Sequence, residues 1–213
     1  MTNAFWELIG MWSLVIWTFA MATIGVLALQ GDFREHREVL ERLGATAPEV
    51  RLPKDLERLD GLIVPGGEST TIIRLMQTSQ LLEPLRKLAD DGFPMWGTCA
   101  GMILLAKRLD ESGTPTLEAM DITVRRNAFG RQVDSFEADL DVSALGNPLY
   151  RAIFIRAPII EDVGPAVEVL ARLPDGTPVA ARQARMLATA FHPELTPDDR
   201  FHRYFLHEIA QRA

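Results

Sequence analysis

The segment with the clearest capacity for chemistry is residues 96–101, WGTCAG, which contains the only cysteine of the chain. It lies between a predicted strand and a predicted helix in a G-x-C-x-G arrangement, the spacing of a nucleophile elbow. Such a turn is tight, so the residues two positions before and after the nucleophile must be small. The partial positive charge at a helix start also helps a thiol to ionise. Cys99 is therefore the candidate nucleophile, although a lone cysteine is also a common small core residue.

A cysteine nucleophile needs a general base, and the chain has four histidines. His192 follows an apolar predicted strand, and Glu194 stands two positions later across a proline. In a triad, His192 would take and return the proton while Glu194 fixed its tautomer and stabilised the imidazolium. A strand-end histidine beside a surface acid is the alternative. His36, His202 and His207 lie on predicted helices among charged neighbours, a pattern that favours solvated surface positions.

A third candidate element is the turn at residues 65–70, PGGEST, between another predicted strand and helix. Paired glycines let the backbone turn sharply and present N–H groups to a developing oxyanion. The turn is not a Walker phosphate-binding loop, because no Gly-Lys-Ser/Thr follows at the required spacing. A helix-capping turn with incidental glycines is the alternative, so the turn is informative only together with Cys99 and His192.

The elements that must position these residues follow an α/β pattern after residue 23, where short apolar runs alternate with helical periodicity. The first part of the chain predicts strands at 24–29, 62–64 and 93–96 and helices at 33–43, 69–76, 84–91 and 101–109. The later part predicts strand-like runs at 122–124, 133–140, 152–156, 167–173, 179–182 and 186–191, and a closing helix at 198–211. We therefore expect a single domain with a mixed, largely parallel sheet flanked by helices.

Composition narrows the class of protein. The 213 residues include 22 Lys+Arg against 29 Asp+Glu, with a net charge of −7 and 47% hydrophobic residues. This is typical of a globular chain with one sizeable core. The acidic balance argues against nucleic acid or an anionic membrane surface as a partner. With this charge balance we expect a small molecule or another protein as the partner. A single cysteine forms neither an intramolecular disulfide nor a cysteine-built zinc site, so we expect a cytoplasmic protein.

The N-terminal segment differs from the rest. It contains Trp6, Trp12 and Trp17, and residues 8–31 carry no charged side chain. Hydropathy alone would make this a membrane span, but its second half reads as the first strand, and its start lacks the basic residues of a signal peptide. Three interpretations remain open for residues 1–20: an upstream start codon with the working start at Met21, an apolar appendage, or a genuine anchor. We expect the functional domain to be 21–213, without membrane association.

Taken as whole motifs, the sequence resembles the triad class (class I) of glutamine amidotransferases and, within it, the glutaminase subunits of pyridoxal 5′-phosphate synthases. The matching stretches are IGVLALQGDFREH (24–36), DGLIVPGGESTT (60–71), PMWGTCAG (94–101), RRNAFGRQVDSFEADL (125–140), FIRAP (154–158) and FHPELT (191–196). The resemblance covers nearly all of the chain after residue 21, in the order of the family. It implies a flavodoxin-like fold.

The resemblance also implies roles by position. Cys99 would attack the side-chain amide of L-glutamine, His192 would carry the protons, and Glu194 would orient His192. Backbone N–H groups of Gly67 and Ala100 would hold the oxyanion. The positions that match the family's glutamine-binding residues are Gly67, Glu68, Ser69, Arg126, Ile155 and Arg156. Of these, the two arginines also suit the substrate on chemical grounds, because an α-carboxylate needs a cationic clamp.

Partners follow from the same resemblance. Gln30 matches a residue near the family's oxyanion and partner face, and a synthase lyase subunit would receive the ammonia within a large hetero-oligomer. The resemblance implies no cofactor or metal on this chain, since pyridoxal phosphate would be a product made elsewhere in the complex. Open alternatives are a glutaminase subunit of another amidotransferase such as imidazole glycerol phosphate synthase, an α/β-hydrolase with a cysteine elbow, and a non-catalytic partner-binding subunit.

The break in composition generates a first prediction. The family's chains begin near Met21, so we expect a chain that begins there to be soluble and to release ammonia from glutamine as fast as the full-length chain. Size-exclusion chromatography and a glutaminase assay of both lengths check this. Loss of folding on truncation would make residues 1–20 part of the structure.

Overall fold

The computed structural model describes residues 22–110, 113–126 and 135–210. The proposed N-terminal extension, 1–20, and residues 127–134 of the RRNAFGRQVDSFEADL motif lie outside the described residues. Within the described ranges, no helix has both the length and the apolar character needed to cross a bilayer.

The described chain alternates strands and helices in its first half and is richer in strands in its second half. The strands are β1 (Ile24–Leu27), β2 (Glu49–Val50), β3 (Gly61–Val64), β4 (Met95–Thr98), β5 (Ala106–Leu109), β6 (Met120–Arg125), β7 (Ser135–Leu140), β8 (Tyr150–Ile155), β9 (Ile159–Val163), β10 (Glu168–Arg172), β11 (Pro178–Gln183) and β12 (Met186–Thr189). The α-helices are α1 (Phe33–Arg42), α2 (Ser69–Thr78), α3 (Leu82–Asp90), α4 (Ala100–Leu105) and α5 (Arg200–Tyr204). Short 3₁₀ turns occupy Pro53–Leu56, Ser143–Leu145 and Pro193–Leu195, and a π-helical turn, Phe205–Ile209, continues α5.

A seven-stranded sheet forms the centre, in the order β10-β11-β12-β4-β3-β1-β2. The pairs from β12 through β2 are parallel, whereas β10, β11 and β12 pair antiparallel. This confirms the predicted mixed, largely parallel sheet. Every residue of β1, β3, β4 and β12 is buried. Strands covered on both faces read as continuous apolar runs, which is why the sequence located them.

Two smaller sheets flank the central one: β5-β6-β9 and the antiparallel pair β7-β8. The prediction of one helix over 101–109 is wrong in its second half. The chain leaves α4 at Ala106, and residues 106–109 pair in parallel with β6. Helix propensity is a weak preference, and here the pairing partner supplied by the fold overrides it. The predicted strand at 93–96 lies two residues too early, and β2 and β9 were not predicted.

The turn between β4 and α4 depends on two glycines. A Cβ on Gly97 would overlap the backbone of Gly101, and a Cβ on Gly101 would overlap the carbonyl oxygen of Val64 in β3. The start of α4 therefore rests directly on the strand ends. This close approach is the reason that the positions two residues before and after Cys99 carry no side chain.

We predict that Gly101→Ala destabilises the protein by about 1–3 kcal/mol, because the added methyl group meets backbone that cannot move aside. Gly92→Ala is the matched control, since Gly92 has a φ of +72° but open space around its Cβ position. That control isolates backbone strain, which costs about 1–2 kcal/mol. Urea unfolding measures the loss of stability in both variants, and we expect the larger loss in Gly101→Ala. A Gly101→Ala protein as stable as wild type would contradict this packing.

Candidate active site

Cys99 stands at the elbow between β4 and α4 and is 6% exposed. Its backbone has φ 48° and ψ −105°, a conformation that costs a non-glycine residue about 1–3 kcal/mol. The fold holds this strained residue through its N–H, which donates to the Thr189 carbonyl of β12 at 2.8 Å. The Sγ atom lies 3.8 Å from the Ile155 carbonyl oxygen at the end of β8. The sulfur is thus held at the carboxyl edge of the sheet.

His192 is brought to the same edge just after β12. Its backbone N–H donates to the Ile153 carbonyl at 2.9 Å, which ties the segment to β8. The imidazole Nδ1 lies 2.7 Å from Oε1 of Glu194, which the 3₁₀ turn Pro193–Leu195 carries. The Cys99 thiol lies within hydrogen-bonding reach of the same imidazole. The structure therefore brings the three predicted triad residues together, although Cys99 is distant in the chain from the other two.

The electrostatics of this group favour an ion pair. Burial alone would lower the pKa of His192, but hydrogen bonds with Asp32, Cys99 and Glu194 outweigh burial and raise that pKa above its ordinary value. Burial would raise the pKa of Glu194, yet the imidazoles of His36 and His192 hold it below its ordinary value. At neutral pH the arrangement is an imidazolium held by a carboxylate. An imidazolium beside a sulfur can donate a proton to a leaving group.

The glycine turn packs against the imidazole. A Cβ on Gly66 would come within 2.5 Å of His192 Cε1, so this glycine makes room for the ring. Gly67 has a φ of +151°, and a Cβ there would meet the Gln30 side chain at 2.6 Å. Gln30 Oε1 in turn accepts from the Glu68 backbone N–H at 2.7 Å. The side chain of Gln30, which was predicted to lie near the oxyanion, therefore packs against the turn that contains the candidate oxyanion donor Gly67.

The other predicted substrate residues surround the same edge. The Glu68 carboxylate caps α2, accepting from the N–H groups of Thr70 and Thr71, and these hydrogen bonds, led by the Thr71 hydroxyl, lower its pKa to about 2. Ser69 begins α2 and is buried, and Ala100 begins α4. Arg126 Nη2 donates to the Thr70 hydroxyl at 3.2 Å. Ile155 ends β8, and Arg156 follows it with a φ of +43° and an exposed side chain.

Two histidines were wrongly predicted to be solvated. His36 on α1 and His202 on α5 are 0% exposed, whereas His207 is exposed as predicted. The charged neighbours that suggested a surface position are themselves half-buried or exposed, as Glu35, Arg37 and Arg203 show. The signal that could have found His36 is its spacing, because it shares a helical face with buried Val39 and Leu40, three and four residues later.

Asp32 was also missed by the sequence reasoning. Its Oδ2 lies 3.2 Å from His192 Nδ1, so the imidazole faces two carboxylates. Ligand atoms of Asp32, His192 and Glu194 lie within 4.8 Å of one another, a spacing that a metal ion could use. However, the 2.7 Å separation of His192 Nδ1 and Glu194 Oε1 is that of a hydrogen bond. A proton already satisfies this pair.

Comparison with known proteins identifies the family of the chain. The model of the SNO glutamine amidotransferase family matches residues 26–211. The chain belongs to this family. It is 64% identical over 185 residues to the pyridoxal 5′-phosphate synthase subunit PdxT of Dehalococcoides mccartyi, an alignment that covers 86% of this chain and 95% of that relative. The protein of the same name from Roseiflexus castenholzii is 60% identical over 186 residues, covering 86% and 98%.

Solved structures of amidotransferases share the fold. A crystal structure of a glutamine amidotransferase superposes with a TM-score of 0.82 at 53% identity, covering 88% of this chain and 98% of that one. PurLQS from Thermotoga maritima reaches a TM-score of 0.65 at 15% identity, covering 88% and 98%, and this likeness concerns the fold alone. The family and the fold class implied by the sequence motifs are therefore confirmed.

The second carboxylate generates a prediction about His192. We expect Asp32→Asn to lower the pKa of His192, because a negative charge near Nδ1 is removed. Because the pKa of His192 is higher in the folded than in the unfolded protein, its protonation stabilises the fold. This contribution is complete below about pH 6.5, the ordinary pKa of histidine, and is lost as pH rises through the pKa of the folded protein. The variant should therefore lose less stability in total as pH rises through the titration of His192. NMR titration of His192 and pH-dependent unfolding measure both effects.

Asp175→Asn serves as the control, because Asp175 lies in an exposed turn where its carboxylate accepts from the Thr177 N–H. An unchanged pKa of His192 in Asp32→Asn would mean that Glu194 alone determines the charge of the imidazole.

Proposed function

We propose that the protein hydrolyses L-glutamine to L-glutamate and ammonia with Cys99, His192 and Glu194, and supplies the ammonia for pyridoxal 5′-phosphate synthesis. The observation that supports this proposal most directly is that Cys99 lies within hydrogen-bonding reach of His192, which is itself hydrogen-bonded to Glu194, on an amidotransferase fold. Relatives of about 60% identity that are named pyridoxal 5′-phosphate synthase subunits support the pathway.

In the first half of the reaction, the Cys99 thiolate attacks the side-chain amide carbon and forms a C–S bond. The amide oxygen becomes an oxyanion, which backbone N–H groups of Gly67 and Ala100 would stabilise. Collapse of this intermediate breaks the C–N bond, and the His192 imidazolium gives its proton to the departing nitrogen. Ammonia leaves, and a γ-glutamyl thioester remains on Cys99.

In the second half, His192 is neutral and acts as a base. It takes a proton from water, and the resulting hydroxide attacks the thioester carbon at the same oxyanion site. Collapse breaks the C–S bond, releases glutamate and restores the thiolate beside the imidazolium. Throughout, the hydrogen bond from Nδ1 to Glu194 keeps the other ring nitrogen directed at the reacting atoms.

The substrate would lie along the edge formed by the glycine turn, α2 and the end of β8. Arg126 and Arg156 would bind its α-carboxylate, with Glu68, Ser69 and Ile155 lining the rest of the site. Arg126 is already positioned at the N-terminus of α2 by its bond to the Thr70 hydroxyl. Guanidinium groups suit a carboxylate because they offer paired donors in one plane.

The ammonia would pass to a synthase lyase subunit in a large cytoplasmic hetero-oligomer, with Gln30 near the contact face. The domain that performs this reaction would span 21–213. A glutaminase subunit that serves another synthase would carry out the same hydrolysis, so mixing with candidate synthase subunits discriminates between the two pathways. A non-catalytic partner-binding subunit would not need the triad.

The triad proposal predicts the effect of two substitutions on the complex with a pyridoxal phosphate synthase subunit. Cys99→Ala should abolish ammonia release from glutamine, and His192→Asn should slow it by at least ~10²-fold, the scale of general acid–base catalysis. Labelling of Cys99 with 6-diazo-5-oxo-norleucine should have the same result as Cys99→Ala. Coupled assay of glutamate and ammonia measures each effect.

His207→Asn is the matched control, because His207 is exposed and outside the site. The Cys99→Ala complex should still make pyridoxal phosphate from ammonium salts, since only the supply of ammonia is lost. Full synthesis with glutamine as the sole nitrogen donor would instead identify a non-catalytic subunit.

A further inference from the structure

Behind the triad lies a pair of buried histidines that the reaction as written does not use. His36 and His202 are both 0% exposed, and their rings lie 5.1 Å apart between centroids. Trp96 of β4 packs its ring edgewise against both, at 5.7 Å from His36 and 4.9 Å from His202. Burying two imidazoles is costly unless their nitrogens find partners, so their hydrogen bonds reveal what holds them there.

The hydrogen bonds assign the protons of the pair. His36 Nδ1 lies 2.9 Å from His202 Nε2, while His202 Nδ1 has no hydrogen-bond partner among the described residues. Burial lowers the pKa of His202 well below its ordinary value, so this ring is neutral and carries one N–H. A proton on Nδ1 would be buried without an acceptor, whereas a proton on Nε2 is donated to His36. His202 therefore donates, and His36 Nδ1 accepts.

Because Nδ1 of His36 accepts, its own proton lies on Nε2. That nitrogen faces the active site, 3.2 Å from Oε2 of Glu194 and 3.2 Å from the hydroxyl of Thr98. Oε2 has no hydrogen-bond partner among the described residues, and the ring nitrogen beside it is Nε2 of His36, so the 3.2 Å contact between them is favourable when Nε2 carries a proton. Thr98 precedes the nucleophile Cys99 in the chain. One imidazole thus contacts both the triad carboxylate and the strand end that carries the sulfur.

We propose that His36 is a positioning residue of the triad, held by His202 in the tautomer that donates from Nε2 toward Glu194. The arrangement is a chain of contacts from His202 through His36 and Glu194 to His192. His36 does not touch the substrate. It keeps Oε2 of Glu194 in place, and thereby leaves Oε1 aligned on His192 Nδ1. This inference deepens the proposed glutaminase function and depends on it.

The proposal is tested by glutamine hydrolysis in the complex with the synthase subunit, with active sites counted by 6-diazo-5-oxo-norleucine labelling. The variants are His36→Leu, which removes the donor, and His36→Gln, whose side-chain amide can place an N–H near Nε2. Losing a hydrogen bond to a charged group corresponds to about 10- to 100-fold, so His36→Leu should lower kcat per labelled site by that factor. The KM should stay within about two-fold, because uniform substrate binding is untouched.

His36→Gln should recover most of the lost kcat, whereas a merely structural role would lower the number of labelled sites and leave kcat per site unchanged. His207→Leu is the matched control, an exposed histidine on the turn that continues α5. A His36→Leu complex with wild-type kcat per site overturns the proposal. A wild-type complex that releases no ammonia overturns the glutaminase function instead.

A second measurement keeps the inference falsifiable should His36→Leu fail to fold. Nitrogen-15 NMR of the histidine rings in the full wild-type chain distinguishes protonated from bare ring nitrogens, and His202→Gln helps to assign the signals. We expect the proton on Nε2 of both His36 and His202. A proton on Nδ1 of His36 would leave Glu194 without this donor and would overturn the inference.

Discussion

The site depends on one buried hydrogen bond, between the His192 imidazole and the Glu194 carboxylate. Glu194 has a side chain with no exposure to solvent, and a buried carboxylate costs several kcal/mol unless neighbouring groups compensate for lost water. Imidazoles on both of its sides provide that compensation. The Glu194 carboxylate in turn favours the charged form of His192 and fixes the orientation of its ring. In the proposed mechanism, the proton needed by the departing nitrogen is therefore in place before a substrate binds.

The sheet supplies the geometry for this interaction. Parallel strands β3, β4 and β12 end at one edge, so the glycine turn, the cysteine elbow and His192 meet although they are distant in the chain. Backbone hydrogen bonds hold two of these residues at the edge: the Cys99 N–H donates to the Thr189 carbonyl, and the His192 N–H donates to the Ile153 carbonyl. The strained backbone of Cys99 is held by its hydrogen bond to Thr189 and by the close packing of Gly97 and Gly101 on the strand ends.

The parts of the fold that sequence reasoning located are those where local pattern and tertiary environment agree. Buried parallel strands are apolar throughout, and α1 and α2 show clear helical periodicity, so their positions were predicted to within a few residues. Residues 106–109 were mistaken for helix because their strand conformation comes from pairing with β6. His36 and His202 were mistaken for surface residues because burial of a polar ring depends on partners that lie far away in sequence.

The sequence by itself determined the family and indicated the candidate site residues: a single cysteine in a tight elbow, a histidine with a glutamate two residues later, and a glycine turn, all within recognisable family motifs. Residue type and short-range spacing carry that information, because an elbow and a His-x-Glu link are local constraints. Only the tertiary structure showed that Asp32, just before α1, contacts His192 and that His36, on α1, contacts Glu194. It also showed that His202 is hydrogen-bonded to His36. Such contacts arise when packed elements bring distant residues together, and no local pattern encodes which buried donor will face a given carboxylate oxygen.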